Sequence, residues 1–120
     1  MRLLERRPDG NLLLREFTDK DIPPYAILSH TWLENNNEEV SFQDIETGSG
    51  SGKAGWQKII FCANKAEADG LRYFWIDTCC INKDIYAELQ QAISSMFRWY
   101  QRSTKCYVYL SDVSFISKIL

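Results

Sequence analysis

Three short apolar runs, separated by two segments of helical periodicity, constrain the fold of this chain more than any other feature. The runs are residues 25–29, 73–77 and 106–110, and each has the length of a buried strand. Between them, residues 56–69 and 84–102 repeat apolar side chains at helical spacing. A strand, helix, strand, helix, strand order is typical of right-handed crossovers. The sequence therefore predicts an α/β fold with a parallel sheet and flanking helices.

The second helical segment has the clearer apolar stripe. We expect six of its residues to face the core: Ile85, Leu89, Ile93, Met96, Phe97 and Tyr100. Either Asn82 or Asp84 can cap the start of this helix. The first helix is expected to stop at Gly70, because glycine adopts the left-handed conformation that ends many helices.

The remaining segments have turn-forming or polar sequences. Residues 1–24 predict an N-terminal hairpin, turning at residues 8–11, and a connector. Residues 33–55 are polar and end in a Gly/Ser run, so we expect a flexible, exposed insertion there. A short strand can form within it at residues 40–42. The α/β core is expected to cover residues 25–112, and because an α/β domain of this type normally continues further, we expect a domain that is incomplete at its C-terminus.

Charge and cysteine content exclude several functions. The formal net charge is −2, so the chain lacks the positive field that attracts nucleic acid. No apolar stretch reaches the length of a membrane span and no secretory signal is visible, so a soluble cytoplasmic domain is expected. The four cysteines have no C-x-x-C spacing and there is a single histidine, which argues against a zinc site. Buried reduced thiols are the expected state of these cysteines.

Polar residues cluster where the predicted strands end. Ligands bind at the carboxyl ends of parallel strands, because loops and helix N-termini converge there. The candidate binding residues at this edge are Ser29, His30, Trp32, Asp77 and Cys80, and Ser111-Asp112 follow the third strand. Adjacent residues of a strand point to opposite faces, so Ser29 and His30 are not expected to form one catalytic triad.

Each of these residues also has a structural interpretation. His30 can be a structural hydrogen-bonding residue, Trp32 a rim aromatic or a platform for a flat ring, and Asp77 a cap of the following turn. Glu88 lies early in the second helix, where it can point into a cleft toward Ser29 or Asp77. The same position is also favoured for any carboxylate by the helix dipole.

Three blocks of the sequence resemble the motifs of fungal heterokaryon incompatibility (HET) domains. They are residues 22–32 (IPPYAILSHTW), 73–83 (YFWIDTCCINK) and 87–112, which begins AELQQAISSMFRWY. Their order and spacing match the family over nearly the whole chain, so residues 1–120 are identified as a HET domain. The N-terminus resembles the subgroup that is fused to nucleotide-binding, repeat-bearing receptors.

This resemblance implies a function and a fold. HET domains trigger regulated cell death when genetically unlike hyphae fuse, a form of fungal innate immunity. They are similar to Toll/interleukin-1 receptor (TIR) domains, which have a flavodoxin-like parallel sheet. Some TIR domains cleave NAD with a glutamate at the position that Glu88 occupies here, which implies a catalytic Glu88, NAD as a substrate, no bound cofactor and no metal. Self-association and fused receptor domains are the implied partners. The alternative is a non-catalytic adaptor that oligomerises and recruits partners.

Overall fold

The computed structural model describes residues 1–110 and confirms the predicted α/β core. Strand β3 (Tyr25–His30) lies between β4 (Tyr73–Trp75) and β5 (Lys105–Tyr109) and is parallel to both. Residues 25–28 of β3 are completely buried because the strand is central and covered on both faces. With β3 as first strand, the spatial order of this parallel core is second, first, third, as in flavodoxin-like sheets.

The predicted N-terminal hairpin is also present, and it belongs to the same sheet. Strands β1 (Arg2–Arg6) and β2 (Leu12–Glu16) are antiparallel and are joined by a turn with Gly10 at φ +88°. Strand β1 also pairs with β4 in antiparallel orientation, so the five-stranded sheet is mixed and has the order β2-β1-β4-β3-β5. Leu3 and Leu4 are fully buried, which explains why the hairpin joins the core.

Two long helices cover opposite faces of the sheet. Helix α2 (Trp56–Ala68) packs on the face toward which His30 points, and it ends before Gly70, which has φ +74° as expected. Helix α4 (Tyr86–Arg102) packs on the other face, where its Tyr100 hydroxyl donates to the Leu28 carbonyl. A single turn of helix, α3 (Asp77–Cys80), follows almost directly on β4 and turns the chain toward α4.

The predicted core face of α4 is only partly correct. The buried residues of this helix are Ala92, Ser95 and Trp99, and Leu89, Met96 and Tyr100 lie at the edge of the core. Ile85, Ile93 and Phe97 are 48%, 58% and 75% exposed, so the prediction was wrong for these three. The helix is rotated because Trp99 packs edge-to-face on Trp75 of β4, with ring centroids 5.5 Å apart. The predicted caps were wrong too, since Ile85 is the N-cap residue and no side chain caps the helix.

The segment 33–55 is more structured than its composition indicates. It contains a 3-10 turn (Asn36–Glu38) and helix α1 (Phe42–Thr47). Ser41 and Asp44 form a reciprocal capping box at the start of α1, so the strand expected at 40–42 is absent. Val40, Phe42 and Ile45 are buried, which corrects the expectation of uniform exposure. The mobility of the segment stays a prediction.

Candidate functional site

Ser29 and His30 end β3 on opposite faces of the sheet, as the sequence predicted. The Ser29 side chain lies on the α4 side, where it acts on the Tyr100 hydroxyl. The His30 ring lies on the α2 side, where its Nδ1 is 2.9 Å from Nζ of Lys58. The two residues therefore take part in different environments and cannot act as one nucleophile and base pair.

His30 and Asp77 are brought together from the ends of two neighbouring strands. Nε2 of His30 lies 2.6 Å from Oδ1 of Asp77, and Nδ1 faces the Lys58 ammonium, which has only protons to donate. Nδ1 must therefore accept, and the ring proton is on Nε2, which donates to Asp77. Burial alone would raise the pKa of Asp77, but the bonds from His30 and Trp32 and the charge of Lys83 hold this pKa below its usual range.

Lys58 and Glu39 complete this cluster, and the sequence analysis missed both. Lys58 is 3% exposed, and its ammonium donates to the Thr31 carbonyl at 2.8 Å and to the Glu39 carboxylate at 2.8 Å, in addition to the histidine. A buried ion pair of this kind requires that its remaining donors are satisfied, and here they are. A signal was present in the sequence: Lys58 lies on the same helical row as the buried Cys62 and Ala66.

Trp32 lies at the surface end of the same cluster. Its Nε1–H donates to Oδ2 of Asp77 at 3.0 Å, and Nζ of Lys83 lies 4.4 Å from the centre of its ring. Trp32 and Lys83 border a cavity of about 370 Å³. The cavity is also lined by Asn36, Glu39, Val40, Ser41, Thr78 and Leu89. We call this cavity the Trp32 cleft. Three of the predicted binding residues, His30, Trp32 and Asp77, are thus joined in one hydrogen-bonded cluster, and Trp32 connects this cluster to the cleft.

Glu88 lies elsewhere. Its carboxylate forms an ion pair with Arg2 of β1 and accepts the backbone N–H of Asn82 at 3.1 Å. The expected approach to Ser29 or Asp77 is wrong, because the N-terminal strand supplies the partner of Glu88. Glu88 lines a second cavity of about 230 Å³ together with Arg2, Trp75, Cys80 and Trp99. We call it the Glu88 cavity. A catalytic role of Glu88 stays a prediction.

Three of the four cysteines are buried and none forms a disulfide. Burial raises the pKa of the Cys62 thiol, and burial together with the neighbouring Cys80 and Asp77 raises the pKa of Cys79 well above its usual value. Cys80 borders the Glu88 cavity, and its sulfur accepts the backbone N–H of Ile76 at 3.4 Å. The expectation of burial was wrong for Cys106, which is exposed on the edge strand β5.

Within residues 1–110, no group of three or more His, Cys, Asp or Glu side chains is placed to hold a metal ion. In the same part of the chain, no helix combines the length and apolar character that a membrane span requires.

Comparison with known proteins supports the resemblance noted in the sequence. Residues 25–118 match the family model described as heterokaryon incompatibility protein (HET). The chain is similar to the vegetative incompatibility protein HET-E-1 of Podospora anserina, with 54% identity over 115 residues. This alignment covers 95% of the chain but 8% of the relative, so the chain corresponds to a small part of that protein. No solved structure matches.

Proposed function

Since the chain belongs to the heterokaryon incompatibility (HET) family, we propose that it triggers regulated cell death when genetically unlike hyphae fuse. The observation that carries this proposal is the 54% identity, over 95% of the chain, to a protein named for vegetative incompatibility. The domain would act in the cytoplasm, fused to nucleotide-binding and repeat domains that receive the signal. Two mechanisms fit this role: the domain cleaves NAD as an enzyme, or it recruits partners as a non-catalytic adaptor.

The enzymatic mechanism is cleavage of NAD at the Glu88 cavity. The bond between the nicotinamide nitrogen and ribose C1′ breaks, and its electron pair leaves with nicotinamide. Positive charge then develops on the ribose, and a fixed carboxylate in a partly dry cavity stabilises it. A water oxygen bonds to C1′ and releases one proton, so the products are ADP-ribose, nicotinamide and a proton.

Two features of the Glu88 cavity support this mechanism. The carboxylate lies in the first turn of α4 and is held in one orientation by Arg2 and by the Asn82 N–H. Its side chain is 22% exposed, so it is partly desolvated but accessible. Arg2 neutralises part of the charge that the reaction needs, so in this mechanism its guanidinium would move to the pyrophosphate of the substrate and the Asn82 N–H would keep the carboxylate in place.

The enzymatic test is to incubate the concentrated chain with NAD and to measure nicotinamide by chromatography. Glu88→Gln keeps the shape of the side chain but removes its charge, so nicotinamide release and killing of expressing cells should both be lost, while the melting temperature changes little. Glu46→Gln, at an exposed position of α1, is the matched control and should keep both activities. Killing that survives Glu88→Gln would exclude this mechanism. Loss of the fold in Glu88→Gln would assign Glu88 a structural role.

The adaptor mechanism is favoured by the outer surface of α4. Tyr86, Ile93 and Phe97 are 73%, 58% and 75% exposed, and within residues 1–110 no strand pairs with the outer edge of β5. Large exposed apolar side chains and unpaired strand edges are typical of interaction surfaces. In an adaptor, the double variant Ile93→Ser/Phe97→Ser would abolish self-association and killing, and Glu88→Gln would not. Gln90→Ser/Gln101→Ser, at exposed polar positions of the same helix, is the control.

A further inference from the structure

Trp32 combines high exposure with a fixed position. The side chain is 57% exposed, yet its Nε1–H is bonded to Asp77. Asp77 is bonded to His30, and His30 to the buried Lys58, so four side chains form a continuous chain from the interior to the exposed ring. Lys58 also binds the carbonyl of Thr31, the residue before Trp32. The ring and its backbone are therefore held in place before any ligand arrives.

Holding an exposed indole ring in one position costs free energy. Leaving large apolar surface in water forgoes the free energy of its burial, and fixing an exposed side chain adds a loss of conformational entropy. Covering the ring with a ligand gains the free energy of burial, and because the ring is already fixed, binding loses little further entropy. The geometry is that of a stacking platform.

A cation lies beside this platform. Nζ of Lys83 is 4.4 Å from the centre of the Trp32 ring, and no carboxylate of residues 1–110 forms an ion pair with it within 4.0 Å. Its charge acts on Asp77 at longer range, so an anion in the cleft would compete with that carboxylate for Lys83. Glu39, which also lines the Trp32 cleft, is neutralised by Lys58 and so does not repel a negative ligand. Thr78 also lines the cleft.

We propose that the Trp32 cleft binds a nucleotide, with the flat base stacked on Trp32 and a phosphate bound by Lys83. The Nε1 edge of the ring is held by Asp77 and one face lies against Lys83, so in this proposal the base stacks on the other face and the phosphate reaches Lys83 past the edge of the ring. A volume of about 370 Å³ lies at the lower end of small-molecule pockets and suits one nucleotide rather than a peptide. Base stacking on an aromatic ring tolerates different bases, so the platform fixes the class of ligand and not the base.

This binding is separate from NAD cleavage. Glu88 lines the other cavity, and the neighbouring Leu89 lines the Trp32 cleft, so the two sites lie on either side of the first turn of α4. A nucleotide without a nicotinamide bond should bind in the Trp32 cleft whether or not Glu88 is catalytic. Failure of one proposal therefore leaves the other intact.

Isothermal titration calorimetry of the 120-residue chain with AMP, adenosine and inorganic phosphate tests the proposal. AMP should bind more tightly than either of its parts, since it uses both the ring and the cation. Trp32→Ala should weaken AMP binding about 5- to 150-fold. Lys83→Met should reduce the affinity for AMP to that for adenosine. The controls are Tyr86→Ala and Lys20→Met, which change an exposed aromatic and an exposed lysine outside the cleft.

A separate variant tests the chain of hydrogen bonds that runs from Lys58 through His30 and Asp77 to Trp32. Trp32→Phe keeps an aromatic ring but removes the N–H that Asp77 holds, so its affinity for AMP should lie between those of the wild type and Trp32→Ala. Near-ultraviolet circular dichroism checks that each variant is folded. No AMP binding at millimolar concentration by the folded wild type, or unchanged binding in folded Trp32→Ala, would overturn the proposal.

Discussion

The ammonium of Lys58 donates a hydrogen bond to Nδ1 of His30 across 2.9 Å, at a position where Lys58 is 3% exposed. This contact sets the tautomer of the only histidine in the chain, because a lysine ammonium cannot accept a proton from the ring. The Nε2 proton then points to Asp77, and Asp77 uses its second oxygen to hold Trp32. His30 is therefore a positioning residue, and its two nitrogens are both occupied.

Removal of the Lys58 charge should destabilise the fold strongly. Lys58→Met leaves the Glu39 carboxylate buried without a counter-ion, and breaking a buried pair from one side costs about 3–5 kcal/mol. Urea unfolding at pH 7 measures the change. Lys65→Met, at an exposed position of the same helix, should change the free energy of unfolding by less than about 0.5 kcal/mol. The double variant Lys58→Met/Glu39→Gln should recover part of the loss, and no recovery would show that the ion pair is not the cause.

The lowered pKa of Asp77 predicts how the stability of the fold depends on pH. Its pKa is lowered in the folded state, so the unfolded chain, with an Asp pKa of about 3.9, binds the proton more tightly. The resulting stabilisation is complete above about pH 5 and is lost as the pH falls through the folded pKa. Asp77→Asn lacks this contribution and leaves one of two N–H donors without an acceptor. Urea unfolding at a series of pH values should show that the free energy of unfolding of the wild type exceeds that of the variant, and that this difference shrinks below about pH 4. An equal difference at pH 7 and pH 3 would contradict the lowered pKa of Asp77.

Gly55 should not tolerate a side chain. A Cβ at this position would lie 2.7 Å from the Glu38 carbonyl oxygen, to which the Gly55 N–H is bonded at 2.8 Å. Gly55→Ala should therefore lower the free energy of unfolding by about 1–3 kcal/mol. Gly52 has open space around it, so Gly52→Ala is the matched control and should be neutral or slightly stabilising. Equal stability of the two variants in chemical denaturation would mean that residues 36–38 do not pack against the start of α2.

Hydrogen exchange should divide the segment 33–55 into two parts. The amides of Ile45, Gly48 and Ser49 donate to backbone carbonyls around α1, so we expect measurable protection there. Residues 51 and 52 lie in an exposed turn and should exchange within the dead time of the experiment. Mass spectrometry of peptides from both parts gives the comparison. Uniform rapid exchange across the segment would instead support the sequence-based prediction of a wholly flexible insertion.

The sequence predicted the elements of this fold well, because the signals for them are local. Short continuous apolar runs predicted the three parallel strands, helical periodicity predicted the two helices between them, and the PDGN turn predicted the hairpin. Helices α2 and α4 begin within two residues of their predicted starts. The same local reasoning correctly separated Ser29 from His30, since neighbouring side chains of a strand alternate between faces. The short helix α1 was missed because the polar residues around it hid the Ser41–Asp44 capping box.

Only the tertiary structure decided which side chains meet. Lys58 and His30 are 28 residues apart, and Arg2 and Glu88 are 86 apart, so no local pattern connects either pair. The sequence placed Glu88 near a cleft but could not show that β1 would pair with β4 and bring Arg2 to it. It also could not fix the rotation of α4, because Trp99 lies outside the predicted apolar stripe and its packing on Trp75 turns that side of the helix toward the core. Periodicity specifies which elements form, whereas long-range packing, through burial and ion pairing, specifies the site.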